Sequence, residues 1–474
     1  RARQWRAHSH RTPTVTHGTS KWCAQGTQTS SCILAFTNRM ASFTASKCVL
    51  FTYISWGLTP IGTQSYQPTM PLLIRDVMHE PVWLLGAVYS TKMFCSVFGY
   101  AALLPLMRRF SPRKITLAFL ILRALSGLLH GVGTLAVTPA TLPILYIRSA
   151  MHGFSLGALG LGPTWIGARL PKEERTKHQT GILAILGVGF AFGPLTGSFL
   201  ALLLPTDLAD ASAPGWNTLL TSLILLVCAY IYFDDDEILP LPDKSDEHIE
   251  LSSKERTMFY TCVVNALFTF MSTIGSEGIT ALLFKDMYGL DAGGAFPGFL
   301  TIGVATLGAG VVFMKMQQKL NLAKIAIVFN VTSFIPLTWM VHYSDFTEYV
   351  SYPALLLAFL LFFAGVQISL SAHNSLLSVR IPQSHQSAVV PVVQLTGQLG
   401  RALGPIVFTQ LYDIADGIAP GSAPNWSLLT MGILLMVGNA VPALAFTSVY
   451  GSFADPPFGE QKQAAQKEAL KEMI

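Results

Sequence analysis

Twelve runs of predominantly apolar residues follow one another along this chain. They lie near 49–74, 82–107, 115–136, 143–168, 178–204 and 217–233, then 258–284, 293–314, 322–342, 350–373, 385–412 and 426–449. A helix needs about 20 apolar residues to cross a bilayer, and twelve such crossings account for the hydrophobic content of the chain. Inside a bilayer every backbone N–H and C=O must be satisfied internally, which leaves only helices or closed β-barrels. Barrel strands alternate apolar and polar residues over about ten positions, and these runs do not. The expectation is an all-α membrane protein with twelve transmembrane helices in two sets of six. Of its 474 residues, 51% are hydrophobic and 12% charged. That is about half the charge of a soluble chain, and the apolar content excludes disorder. A net charge of +5 is too small and too scattered for nucleic-acid binding. The 6 cysteines form no CxxC pair and have no metal-ligand spacing.

Lys and Arg in the connections set the orientation. Arg109, Arg113 and Lys114 follow the second run, Arg169, Lys172, Arg175 and Lys177 the fourth, and Lys315, Lys319 and Lys324 the eighth. The opposite connections carry little beyond Arg75 and Lys285. Both termini are therefore expected in the cytoplasm. The expected divisions are a basic tail (1–48), a six-helix bundle (49–233), an acidic cytoplasmic linker (234–256), a second six-helix bundle (257–450) and a cytoplasmic tail (451–474). The first tail is rich in Arg, Ser and Thr and lacks acids, as a transit peptide or a disordered leader would. Asn425, Trp426 and Ser427 form a sequon in the last outer connection, a sign of a secretory-route membrane.

The two sets of six repeat each other. A shift of 211 positions carries Arg169 onto Arg380, Pro171 onto Pro382, Gly193 onto Gly404 and Pro194 onto Pro405. Parallel six-helix repeats are a transporter architecture, with the substrate site near the midplane between the halves. Gly187, Gly189, Gly193, Pro194 and Gly197 in the fifth run resemble the glycine and proline motif of the major facilitator superfamily. Ser111, Pro112, Arg113 and Lys114 resemble part of that superfamily's signature loop, although Arg108 and Leu104 stand where Asp and Gly are usual. That degeneracy, the stretch Pro171 to Thr176, and Glu277 with Thr280, Asp286, Met287 and Tyr288 resemble the lysosomal ceroid-lipofuscinosis branch and the SPX-type vacuolar phosphate carriers. The resemblance implies alternating access between two halves, with the first, fourth, seventh and tenth helices lining the cavity. In one departure, Arg148 precedes Gly153 by five positions where four is usual, a rotation of about 100° on a helix.

A charge in the hydrocarbon core costs several kcal/mol unless it faces protein or water, so each ionisable residue within a run is a functional candidate. Lys92, Arg123, His130, Arg148, His152, Glu277, His373 and Arg401 qualify. Glu277 is the one acid among them. In the implied arrangement it faces the cavity, where a carboxylate can load and release a proton as access alternates. A structural ion pair with Arg401 is the alternative. Lys92, Arg148, His152 and Arg401 are candidates for the substrate site. Arg148 enters about five residues from the outer face, placed to snorkel toward it. His130, His152 and His373 read more readily as hydrogen-bonded core residues than as proton relays. Gly187, Gly189, Gly193, Pro194, Gly197, Gly404 and Pro405 fit conformational roles, since small residues let helices approach and slide. Arg109, Arg113 and Lys114 fit a cytoplasmic gating loop.

No GxSxG, HExxH or paired-carboxylate pattern supports an enzyme, and nothing calls for a cofactor. The expected activity is secondary, proton-coupled transport of a small anionic solute by a monomer. An endolysosomal or vacuolar membrane is favoured, with plastid or plasma membrane as alternatives. The competing readings are an endolysosomal anion channel on the same fold and a non-transporting receptor or scaffold.

Overall fold

The structure, a computed structural model, describes residues 47–107, 109–162, 172–203, 209–233, 251–380 and 383–449. Both tails, the linker from 234 to 250, and Arg108, Arg169, Pro171, Ile381 and Pro382 lie outside the described residues.

The first half comprises α1 (Lys47–Gln64), α2 (Val82–Met107), α3 (Pro112–Gly133), α4 (Thr141–Ser155), α5 (Lys172–Leu203) and α6 (Ala209–Tyr232). The second comprises α7 (Ser253–Tyr288), α8 (Phe296–Lys319), α9 (Leu322–Thr332), α10 (Tyr352–Arg380), α11 (Gln383–Ile418) and α12 (Ala423–Val449). Among the described residues, α2, α3, α6, α7, α8 and α10 each contain a stretch long and apolar enough to cross a membrane.

Several runs that look continuous in the sequence are interrupted. After Gln64 the chain turns, then resumes as a short helix Met70–Leu72 and a π-helical turn Leu73–Val77. The ninth run breaks after Thr332 and resumes at Ile335–Trp339, where Pro336 has no N–H to give the preceding turn. The fourth tightens into a 3-10 turn at Leu156–Gly160. At α7 the helix reaches back into the expected linker. Ser252 and Glu255 form a reciprocal capping box that starts it at Ser253, and Gly289 ends it with φ 69°.

The repeat is visible in the packing. Helices α4 and α5 start at Thr141 and Lys172, and α10 and α11 start 211 positions later, at Tyr352 and Gln383. Gly193 of α5 packs on Gln64 of α1, and Gly404 of α11 packs on Gly275 of α7, each residue displaced by the same amount. The seam between the halves is made by α2 against α11 and by α5 against α8. Gly303 of α8 lies on Ala191 of α5. The repeat image of that contact is position 92 against Ala402, and there the Ser90 hydroxyl donates to the Ala402 carbonyl. Gly86 has no room for a side chain, because an added Cβ would meet Thr409 and the Pro405 carbonyl across the seam.

The sequon at Asn425 is closed off. The Asn425 amide is buried and donates to the carbonyls of Phe346 and Glu348, while its oxygen accepts from the His342 N–H. In the folded chain that nitrogen is committed to these two bonds.

Candidate functional site

Helices α2 and α4 meet backbone to backbone. Gly153 sits so close to the Lys92 carbonyl that any Cβ there would collide with it, and Gly157 repeats the approach on Gly99. That contact brings Lys92 of α2 beside Arg148 and His152 of α4. All three are deeply buried, at 4%, 2% and 0% exposure. Arg148 does not reach the rim. Its guanidinium stacks on the Tyr66 ring, 3.7 Å from the centroid, and its Nε donates to His130 Nδ1 at 3.1 Å. His130 Nε2 in turn lies 2.8 Å from the Ala211 carbonyl, which fixes the tautomer: Nε2 carries the proton and Nδ1 accepts.

Arg123 of α3 joins the group. It donates through Nη1 to the Thr59 hydroxyl at 2.6 Å and through Nη2 to the Thr59 carbonyl at 2.7 Å. His152 Nε2 lies 3.2 Å from the Thr63 hydroxyl, one turn along α1 from Thr59. Lys92 lies over the Tyr89 ring at 5.1 Å. Three permanent cations and two imidazoles therefore crowd the inside of the first half. Neither Arg123 nor Arg148 has a carboxylate partner among the described residues. Stacking on an aromatic ring is worth about 2 kcal/mol when desolvated. The desolvation penalty of a buried cation is several kcal/mol, so stacking alone leaves a deficit.

Arg401 lies on the other side of the seam. It stacks on Phe270 at 4.2 Å, and both line a small cavity of ≈ 50 Å³ with Gln367, Thr273 and Thr306. Helices α7 and α10 contribute to that lining together with α5, α8 and α11. Met93, the neighbour of Lys92, packs with Ile274, Ala402 and the same Phe270 ring, so a single apolar cluster connects the two cationic regions. Glu277 is in α7, between the buried Ser276 and Gly278. Its side chain lies outside what the structure describes. His373 is buried and bonds to the Ser369 carbonyl of its own helix. Arg113 of the expected gating loop stacks on Tyr230 and donates to its carbonyl, tying the loop to α6, while Arg109 is exposed and the Lys114 N–H bonds to Ser111.

The end of the seam carrying the α1–α2 and α7–α8 connections holds a second charged group that sequence reasoning passed over. Arg75 donates through Nη1 to both carboxylate oxygens of Asp286, at 2.8 and 2.9 Å, and through Nε to Asp76. Lys285 pairs with Asp76 at 2.6 Å, and the Tyr412 hydroxyl donates to Asp286. Asp413 accepts from the backbone N–H groups of Val82 and Trp83 at 3.3 and 2.8 Å, so a residue of α11 caps the start of α2. Opposite charges from both halves thus hold this end shut. The signal was present in the sequence, because shifting Arg75 by the repeat lands on Asp286.

A family model described as the Major Facilitator Superfamily matches residues 48–405. The chain belongs to the major facilitator superfamily. It is therefore a membrane transporter and not an enzyme. The tetracycline resistance protein, class C, of Escherichia coli is 23% identical over 404 residues, covering 81% of this chain and 91% of that protein. Among solved structures, a D-xylose-proton symporter superposes with a TM-score of 0.64 at 16% identity, over 87% of this chain and 98% of the other. The human organic anion transporter TETRAN superposes with a TM-score of 0.58 at 15% identity, over 84% and 99%. A bacterial homolog of the human lysosomal transporter Spinster, inward-facing and unoccupied, gives 0.59 at 13%, over 86% and 98%. At such identities the superpositions establish the superfamily fold and nothing about the solute.

Proposed function

We propose that this chain is a secondary active transporter of a small anionic solute, working by alternating access and coupled to protons through Glu277. The observation that carries the proposal is the buried cationic interior of the first half. Arg123 and Arg148 are each 2% exposed and lack a carboxylate partner among the described residues. A solute bearing negative charge supplies the missing counter-charge during the cycle, and a neutral solute does not. The charged closure at Arg75, Asp286 and Asp413 supports alternating access, since it is made of contacts that must break for that end to open. The Lys and Arg bias of the connections puts it on the extracytoplasmic side, which makes the described conformation closed outward.

Proton coupling rests on Glu277, an acid within α7, and on the likeness of the fold to that of a protein described as a proton symporter. An endolysosomal or vacuolar membrane follows from the branch resemblance at Glu277, Thr280 and Asp286 and from the likeness to a Spinster homolog. The division into a basic tail, two bundles and an acidic cytoplasmic linker, and a monomeric state, belong to the same proposal. The test is a screen of small anions and their neutral analogues in proteoliposomes, with and without an imposed pH gradient. Saturable uptake of an anion that a proton gradient accelerates is the expected result. Uptake confined to neutral solutes would overturn the anionic reading, and a passive, non-saturable anion current would replace the transporter with a channel.

A further inference from the structure

We propose that the outer edge of the Arg148 guanidinium, the one formed by Nη1 and Nη2, is the docking point for an oxyanion of the transported solute, with His130 as its positioning residue. This rests on the anionic reading above and says where the charge binds and in what geometry. A guanidinium offers five N–H groups in a planar fork, and two parallel bonds to a carboxylate or phosphate use one edge of that fork. In Arg148 the Nε is committed to His130, and one face is covered by Tyr66. Its Nη groups have no acceptor among the described residues, although the side chain is 2% exposed. The remaining edge is the right shape and charge for a two-oxygen group, and it is the part of the side chain that still lacks a partner.

The supports of this edge are themselves fixed. His130 can accept from Arg148 only because its other nitrogen donates to the Ala211 carbonyl. Tyr66 cannot swing away while its hydroxyl bonds to Thr218 at 2.8 Å and Thr218 donates to the Gly62 carbonyl at 3.0 Å. An edge held in advance loses little freedom on binding, which raises affinity without a new contact. Lysine in place of Arg148 would keep the charge but not the fork. Carboxylate and phosphate share this recognition chemistry, and the experiment separates them.

The purified full chain is titrated with benzoate, inorganic phosphate and the neutral isostere benzamide, by thermal stabilisation and by inhibition of uptake in proteoliposomes. Wild type should be stabilised by one of the two anions and not by benzamide, and which anion acts identifies the group. Arg148→Lys should weaken that anion by about tenfold or more, acting on half-saturation more than on maximal rate. His130→Ala should weaken it as well, and His130→Asn, which keeps an acceptor near the Nδ1 position, should recover most of the loss. A merely structural His130 would not distinguish those two variants by affinity. Unchanged anion affinity in Arg148→Lys would overturn the proposal and leave anion transport standing. Stabilisation by benzamide alone would overturn both. Should Arg148→Lys fail to fold, equal affinities in the two His130 variants would overturn the proposal by themselves.

Discussion

Arg75 and Asp286 are 211 positions apart, the separation that relates the two halves of the chain, and they meet across the seam in an ion pair in which Arg75 Nη1 donates to both carboxylate oxygens. Repeat-equivalent positions can touch only close to the axis that relates the repeats. The pair therefore marks where that axis leaves the bundle at this end, and rocking of the halves must separate it. The two side chains are 23% and 28% exposed, which puts the pair nearer the surface range of about 1 kcal/mol than that of a buried bridge. Asp286→Asn should accordingly raise the outward-open population a few-fold without unfolding the protein. Alkylation of Ser90→Cys, in a background lacking the native cysteines, reports it, because Ser90 is buried against Ala402 when the seam is closed. An unchanged alkylation rate would remove this pair from the gate.

The closure should respond to pH in two opposite senses. Asp413 lies one residue past the eleventh apolar run. Burial pushes its carboxyl above the usual range and Asp416 adds to the rise, against the pull of the Val82 and Trp83 N–H groups. Asp76 goes the other way: burial pushes it up, but Lys285 and Arg75 outweigh burial and hold it below the usual range. A closed seam binds the Asp413 proton more tightly than an open, hydrated one, so acidification from neutral toward its raised value favours closure. For Asp76 the sign reverses. Its stabilisation of the closed form is complete above the ordinary carboxylate pKa of about 4 and is lost as pH falls through the depressed value. Alkylation of Ser90→Cys, normalised at each pH to that of a fully exposed cysteine because only the thiolate reacts, should therefore slow on mild acidification and quicken in strong acid. Asp413→Asn should abolish the slowing, and its persistence in that variant would assign it to another group.

Gly153 and Gly308 make a matched pair for stability. An added methyl at Gly153 meets the Lys92 carbonyl, whereas at Gly308 it meets nothing within 4 Å. Overpacking of this kind costs about 1 to 3 kcal/mol, so Gly153→Ala should lower the melting temperature by several degrees while Gly308→Ala leaves it nearly unchanged. Equal melting temperatures would mean that the α2–α4 contact is looser than described.

Gly86 should act on conformation instead of folding, because its missing Cβ faces Thr409 and Pro405 across the seam between the halves. Gly86→Leu is expected to hold the outer end open. Transport should fall sharply, Ser90→Cys should alkylate faster, and the yield of folded protein should remain close to wild type. Normal transport would show that the seam tolerates separation at this point.

Much of this fold is legible in the sequence, because a bilayer forces long apolar runs into helices, and the repeat at Gly193 and Gly404 pairs the halves. The breaks are less so. Pro336 opens the short helix that resumes the ninth run after its break, yet Pro194 sits within a continuous α5, and the difference lies in what neighbouring helices supply to the freed backbone. Lys92, Arg148 and His152 stand out as ionisable residues in apolar runs. Their convergence does not, since it depends on Gly153 allowing two backbones to touch. Arg75 and Lys285 register in sequence only as loop charges that set orientation, because the pairing with Asp286 and Asp76 needs the two halves assembled.

Proton-coupled movement of an anion through this fold is tested most directly at Glu277. Proteoliposomes holding wild type or Glu277→Gln are compared for gradient-driven uptake and for exchange of the anion identified in the screen, alongside the melting temperature of each protein. A Glu277→Gln variant that exchanges anion, keeps its melting temperature and no longer responds to the pH gradient is the predicted result. Gradient-driven uptake that survives the substitution intact would contradict the account.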